Sequence, residues 1–236
     1  MKIFNINVPN VDNSNIDVVK FNGKTYKFNN NDNESTMKSD ALSNLEWNDI
    51  FNMVCSGEIY HLYSIGASKD IILKSGEKVI MQFAHYIDNH AIFISKDCLE
   101  TPVQMVSYYD NFSGNINDTI AYKYLNNQIF NLLPDDLYDI IIKSSIDKPH
   151  LILPSEYNIF GEYIFSDNSI EDYQWDIFKD PKNRIKRLSN DGAVCAWWES
   201  SPDVGGSTAF CIVATSGAAI RNYASNSRGV PLCFIM

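Results

Sequence analysis

The sequence predicts an α+β chain in which helices flank small antiparallel sheets, preceded by an N-terminal arm. Three observations carry this expectation. Apolar residues recur at helical spacing after Asn44 and again after Asn117, consecutive turn-bounded apolar runs occupy residues 71–94, and four further runs close the chain between Ala193 and Met236. With 236 residues, 45% of them hydrophobic, the chain can build one large core, or one core plus a small N-terminal piece. One main domain over residues 41–236 is expected, with residues 1–40 as an attachment arm or hairpin.

The arm differs in composition from the rest. Short apolar pieces such as Val18-Val19-Lys20-Phe21 and Thr25-Tyr26-Lys27-Phe28 alternate with Asn-rich stretches. A hairpin around Asn22-Gly23 is predicted, because Asn-Gly readily adopts the left-handed conformations of a two-residue turn. Two strands alone bury too little surface to be stable, so the arm is expected to dock on its own body or on a neighbouring subunit.

From Asn44, the residues Leu45, Trp47, Ile50, Phe51 and Val54 share one face of a predicted helix, with Asn44 able to cap its start and Gly57 its end. Two successive hairpins are then predicted, through Lys74-Ser75-Gly76-Glu77 and through Asp88-Asn89-His90. His85 and His90 flank the second turn and are expected to meet across it. Asn117-Asp118 can cap a second helix whose inward face would hold Ile120, Ala121, Tyr124, Leu125, Gln128, Ile129 and Leu132. Pro134 suits the first turn of a third helix, with Asp135 and Asp136 at its positive end and Leu137, Ile140 and Ile141 facing the core. Asp167, Glu171, Asp172, Asp176 and Asp180 supply oxygens that a calcium ion could use, but without the ordered alternation of an EF-hand. The four closing runs read as an antiparallel meander whose polar connections are natural binding positions.

Charge and motifs narrow the function. A formal net charge of -10 opposes binding to phosphate backbones, so neither nucleic acid nor anionic membranes are expected partners. No apolar run approaches the roughly 20 residues needed to span a bilayer. The first residues also lack the apolar core of a signal peptide, so synthesis and folding in a cytoplasm are expected. Cys55, Cys98, Cys195, Cys211 and Cys233 are odd in number and mostly lie in apolar runs, which suits structural thiols rather than disulfides. His61, His85, His90 and His150 show no metal-binding spacing, and no Cys-x-x-Cys pair occurs, so no metal or other cofactor is expected. No Ser-His-Asp order, phosphate loop or paired-carboxylate motif points to catalysis.

Trp197-Trp198-Glu199-Ser200-Ser201-Pro202, followed by an apolar strand, a Gly turn and Gly229-Val230-Pro231-Leu232-Cys233-Phe234, resembles a domain family of unknown function from low-GC Gram-positive bacteria and their phages. The usual signature there is Trp-Trp-Leu-Arg-Ser-Pro with a Gly-Val closing strand. Asn117-Asp118-Thr119-Ile120 with Tyr124-Leu125-Asn126-Asn127, Leu153-Pro154-Ser155-Glu156 with Phe160-Gly161, and Arg184-Ile185-Lys186 fit in the same order. With the segment Tyr63–Leu73, the resemblance spans about residues 45 to 236. Glu199 and Ser200 stand where Leu-Arg is usual, and no Arg separates Val230 from Pro231, so an ion pair that often steadies this region is expected to be missing.

The resemblance implies a C-type lectin-like domain, a fold also used by formylglycine-generating enzymes and by hypervariable phage adhesins. It implies a phage virion protein of the tail, baseplate or fibre tip, assembled in the bacterial host cytoplasm. Such a protein would act as a receptor-binding adhesin for a host cell-surface glycan or protein. Its arm would mount it on other virion subunits, as a homo-oligomer. The ligand-binding residues would come from the closing loops: Trp198, Glu199, Ser201, Asp203, Arg221, Asn222, Tyr223, Asn226 and Arg228, because hydroxyl, amide and charged groups beside aromatic faces suit sugars and mixed protein surfaces. At least one of Trp197 and Trp198 is expected in the core, with the other under the loops. The alternative is a structural virion subunit, such as a capsid decoration or tail accessory protein. Less favoured is a thiol-dependent enzyme like the formylglycine-generating ones, with Cys195 and Cys211 adjacent on neighbouring strands; apolar surroundings would depress the reactivity of both thiols.

Overall fold

The computed structural model describes residues 17–21, 24–28, 38–108, 110, 112–144, 149–167, 173–205 and 208–236, the first two segments by their backbone alone. Two compact units divide the chain, Met1–Met37 and Lys38–Met236. In the first, β1 (Asp17–Phe21) pairs antiparallel with β2 (Lys24–Phe28), Phe21 opposite Lys24. The hairpin predicted there is therefore present, although its Asn22-Gly23 connection lies outside the described residues.

The second unit is a mixed α+β structure with several small sheets. After β3 (Ser39–Ala41), helix α1 (Trp47–Ser56) buries Trp47, Ile50 and Val54. Gly57 ends it as predicted, at φ 78° with its N–H on the Val54 carbonyl, a conformation that favours glycine. Asn44 is not the cap. Leu42–Leu45 instead form a turn closed by a Leu45 N–H to Leu42 carbonyl bond, and the extended residue before the helix is Glu46. Short α2 (Glu58–Leu62) leads into β4 (Tyr63–Ile72), β5 (Lys78–Ile87) and β6 (His90–Cys98). These are the two predicted hairpins. Asp88 and Asn89 join β5 to β6 at φ 49° and 61°, the paired left-handed residues of a type I′ turn.

His85 and His90 do not meet across that turn. His85 Nδ1 lies 2.8 Å from Asp176 Oδ2 with its ring stacked on Tyr173, whereas His90 Nδ1 bonds to the Asp88 carbonyl. In the register of this hairpin His85 stands opposite Ile92 and His90 opposite Ile87, so the two histidines are not cross-strand partners. Partial burial alone would raise the Asp176 carboxyl, but hydrogen bonds from Lys179 and His85, and their charges, outweigh it and hold the group below its ordinary range. Two of the acids that a calcium ion could have used thus have structural partners: Asp176 is ion-paired, and Asp180 accepts from the Lys182 N–H at a 3-10 turn. Glu171 and Asp172 lie outside the described residues.

The second predicted helix is real but irregular. A 3-10 turn at 116–118 precedes α3 (Ile120–Lys123), which widens to π geometry over Tyr124–Ile129 and tightens again over Phe130–Leu132. Thr119, not Asn117 or Asp118, caps α3 through the Tyr122 N–H. Asn126 accounts for the widening: its Nδ2 donates to the Tyr122 and Leu151 carbonyls, and its Oδ1 accepts from the N–H groups of His150 and Leu151. The altered winding buries Ala121, Tyr122, Leu125, Ile129 and Phe130, and leaves the predicted Ile120 and Gln128 exposed. Helix α4 (Asp135–Ser144) buries Leu137, Ile140 and Ile141 as expected. Ser155 forms a capping box at α5 (Glu156–Phe160), which Gly161 ends at φ 75°.

The remaining strands are β7 (Lys186–Arg187), β8 (Val194–Cys195), β9 (Trp197–Pro202), β10 (Ala209–Val213), β11 (Ala219–Tyr223) and β12 (Pro231–Ile235). Strands β9, β10 and β11 form an antiparallel meander, and β7 pairs with β8. The fourth closing run does not continue the meander. As β12 it crosses to the other sheet, whose order is β12-β6-β5-β4-β3, because β6 offers it an apolar edge. This five-stranded sheet separates two apolar layers, and alternation along its strands sends Phe83, Phe93 and Phe234 to one and Ala84, Ile92, Ile94 and Cys233 to the other. Trp47 packs edge-on against Phe93 and Phe234, at 5.5 and 5.8 Å, in the first layer.

Gly229 lies where β6, β8 and β9 crowd together. Its carbonyl accepts from the Trp198 N–H and its own N–H donates to the Ala196 carbonyl. A Cβ there would sit 2.8 Å from Cys98 Sγ and 3.0 Å from Cys195 Sγ. Gly229→Ala is therefore expected to destabilise the fold by about 1–3 kcal/mol through overpacking, read as a lower midpoint in denaturant unfolding.

Candidate functional site

The meander grades from a buried strand to an exposed one. β9 and β10 are almost wholly buried, whereas β11 is the edge strand and most of its side chains reach solvent. This gradient splits the predicted ligand residues into two groups.

The exposed group follows β11 and its loop. Tyr223 is 69% exposed, Arg221 and Asn226 are exposed, and Asn222 and Arg228 are half-buried. Asn226 Nδ2 donates to Asn222 Oδ1, and the Asn226 N–H closes a turn onto the Tyr223 carbonyl. Residues 103–106 hold the loop from beneath: Val103 and Arg228 exchange both backbone bonds, Met105 and Val106 donate to the Ala224 carbonyl, and Gln104 donates to Ser225. The face is thus an aromatic ring and several polar groups on a backbone pinned at both ends.

The buried group departs from expectation. Trp198 is fully buried, its indole N–H on the Val103 carbonyl and its ring against Phe210, so it offers no face to a ligand. Trp197 is buried as well, on the opposite side of β9. Glu199 and Ser201 share the face of β9 that Trp197 uses, turned toward α5, where the Ser201 hydroxyl accepts from the Glu156 N–H at 2.9 Å. Asp203 is 7% exposed and reaches the candidate face only through Arg221, whose Nη1 lies 3.3 Å from Asp203 Oδ2. All four are buried beneath their neighbours, Trp198 under Val103 and Phe210 and Ser201 under the start of α5.

Glu199 belongs instead to a buried polar cluster with Glu156 and Cys211. All three are 0% exposed, and one ligand-capable atom from each lies within 4.8 Å of the others. The segment at 164–166 wraps the Glu156 carboxylate, which accepts from the N–H groups of Ile164, Phe165 and Ser166 and from the Ser166 hydroxyl at 2.7 Å. Neither oxygen of Glu199 has a hydrogen-bond partner among the described residues. Burial, and then the charge of Glu156, raises the Glu199 carboxyl well above its ordinary range. Burial pushes the Cys211 thiol up too, reinforced by Glu199, Glu156 and Asp203. Sequence reasoning missed the cluster because Glu156, which entered only as part of the Leu153–Glu156 motif, lies more than 40 residues before Glu199 and Cys211. The available signal was Glu199 itself, an acid between Trp198 and a serine pair on an otherwise buried strand.

Cys195 is not beside Cys211. It hydrogen-bonds with Cys98, where β8 approaches the end of β6, so the adjacency expected for an enzyme built on Cys195 and Cys211 is replaced by a different pairing. The bond from Cys98 lowers the Cys195 thiol, while burial and Cys195 raise that of Cys98. Nearby Lys186, 1% exposed, donates to the carbonyls of Ser95 at 2.5 Å and Lys96 at 3.1 Å, and burial lowers its ammonium below the ordinary lysine range.

The Glu199 carboxyl has a direct consequence for stability. Its folded value lies above its unfolded one, so between the two values folding takes up a proton and stability falls as pH rises, levelling off above the folded value. Each pH unit in that window costs about 1.4 kcal/mol. In metal-free buffer, Glu199→Gln is expected to gain stability over the native chain progressively from mildly acidic pH upward, as measured by urea unfolding across a pH series.

Comparison with known proteins gives one match: the family model described as "Domain of unknown function (DUF6273)" covers residues 89–236, from the β5–β6 turn to the end of β12. No curated protein and no solved structure matches the chain.

Proposed function

The chain belongs to the DUF6273 family, and from that premise we propose that it is a non-enzymatic binding module whose contact face is β11 with the 221–228 loop. The observation that carries this reading is Tyr223, 69% exposed on an edge strand beside Arg221, Asn226 and Arg228. An aromatic ring exposed to this degree, flanked by amide and guanidinium groups on a backbone fixed by residues 103–106, suits a sugar face or a mixed polar protein surface. Together with the resemblance of the Trp197–Pro202 and Gly229–Phe234 motifs to phage and Gram-positive domains, it supports a C-type lectin-like adhesin of a phage virion. In this reading the first 40 residues attach the protein to other virion subunits as a homo-oligomer, and the ligand is a host cell-surface glycan or protein.

A second reading, a structural virion subunit, is favoured by one observation. β11 is an edge strand carrying exposed Ile220 as well as Tyr223, and edge strands accept a further strand from a neighbour. In that case the same face would be covered in the assembly rather than presented to the host.

Co-sedimentation of the purified protein with Gram-positive cells and their extracted wall glycans tests the adhesin reading. Tyr223→Ala and Arg228→Ala, checked for unchanged thermal unfolding, are expected to weaken binding about 10-fold or more if they are central contacts. Binding that survives both substitutions, or no binding to any surface, would reject it. Trp198 is unsuitable as a probe, because its removal would empty the core.

A further inference from the structure

We propose that Glu156, Glu199 and Cys211 form a buried site for a divalent transition-metal ion of the zinc class. The three residues come from α5, β9 and β10, elements that meet only in the folded chain, and each is 0% exposed. Their donor atoms lie within 4.8 Å of one another. A tetrahedral zinc ion with bonds of about 2.0–2.3 Å holds its donors roughly 3.3–3.8 Å apart, a spacing that small side-chain adjustments reach.

Glu199 is the independent observation that points to a ligand. Both its oxygens are buried without a hydrogen-bond partner among the described residues, and it faces a second carboxylate. An ionised carboxylate in that position is costly unless a cation accompanies it. A proton would neutralise the charge but leave a buried hydroxyl and carbonyl without partners, whereas a divalent ion engages Glu199, Glu156 and Cys211 together. Glu156 is already oriented for this role. Among the described residues its Oε2 accepts from Ile164, Phe165 and Ser166 and its Oε1 from the Phe165 N–H, and the Cys211 thiol hydrogen-bonds to the same carboxylate.

The donor set decides the metal class. Calcium and magnesium require six or more oxygens, and a sulfur donor disfavours both. Two carboxylates with a thiolate suit borderline ions, zinc above all, and leave a fourth position for water or another oxygen. Binding forms a metal–sulfur bond at Cys211 and metal–oxygen bonds at Glu156 and Glu199, and releases to solvent the thiol proton and the proton that Glu199 carries in the metal-free chain, with no change of oxidation state. The ion would tie α5 to β9 and to β10, the strand that carries β11.

The test uses the full chain, stripped with a chelator and then titrated with Co2+ and Zn2+. Co2+ is expected to produce a sulfur-to-cobalt charge-transfer band in the near ultraviolet, which Zn2+ abolishes, and Zn2+ is expected to raise the thermal midpoint. Cys211→Ser should lose the band, and Glu199→Gln, which keeps the side-chain shape, should weaken Zn2+ binding at least about 10-fold. Circular dichroism establishes that both variants are folded. Absence of the band and of any midpoint shift in the native chain would overturn the proposal, as would responses that both variants retain. A Glu199→Gln chain more stable than the native one, with no metal response in either, would identify Glu199 as a neutral buried acid and overturn it equally.

Discussion

The opposed burial of Trp197 and Trp198 is the constraint on which the second unit depends. Consecutive residues on a strand point to opposite faces, so a Trp pair on β9 delivers one indole to each of the two apolar layers. Trp197 stacks on Phe178 at 6.0 Å and donates its indole N–H to the Arg184 carbonyl. Trp198 meets Phe210 at 6.3 Å and donates to the Val103 carbonyl. Each ring removes roughly 150–250 Å² from water, and each N–H is satisfied by a backbone carbonyl distant in the chain, one at the end of a 3-10 turn and one in an isolated bridge. A one-residue slip of β9 would exchange the two rings and break both bonds, so register and layer assignment are set together.

That register also determines what lies between the strands. Once Trp197 and Trp198 occupy their layers, Glu199 must follow Trp197 inward toward α5, where Glu156 and Cys211 are waiting. The same geometry leaves β11 at the edge, two strands from the core, with Tyr223 and Arg221 in solvent. Arg221 links the two regions through its ion pair with Asp203, which is itself buried beside the polar cluster. A buried polar cluster and an exposed aromatic face are therefore neighbours on one meander.

Much of the fold was legible from periodicity. The β4–β5–β6 hairpins, α1 with its terminal Gly57, and α4 with its buried Leu137, Ile140 and Ile141 all follow from local pattern and turn chemistry. The misses have identifiable causes. Asn44 fell into a turn rather than a cap, and Asn126 bonds both to its own helix and to residues 150–151, widening the turn and rotating the buried face away from Ile120. The closing run left the meander for β6 because long-range pairing, which no local pattern encodes, offered it the better-buried position. Of the candidate ligand residues, those on β11 and its loop kept their exposure; those on β9 did not, since polar composition alone does not distinguish a loop tip from a covered strand.

The sequence by itself determined the elements: where strands alternate, where helices carry an apolar face, and where Gly, Asn and Asp turn the chain. Those properties depend on neighbours a few residues away, and local sterics and hydrogen bonding enforce them. Tertiary structure alone decided which faces were covered, that Cys195 joined Cys98 rather than Cys211, and that Glu156, Glu199 and Cys211 converged. Those outcomes rest on contacts between segments distant in the chain, whose energies depend on packing and desolvation that no single segment contains.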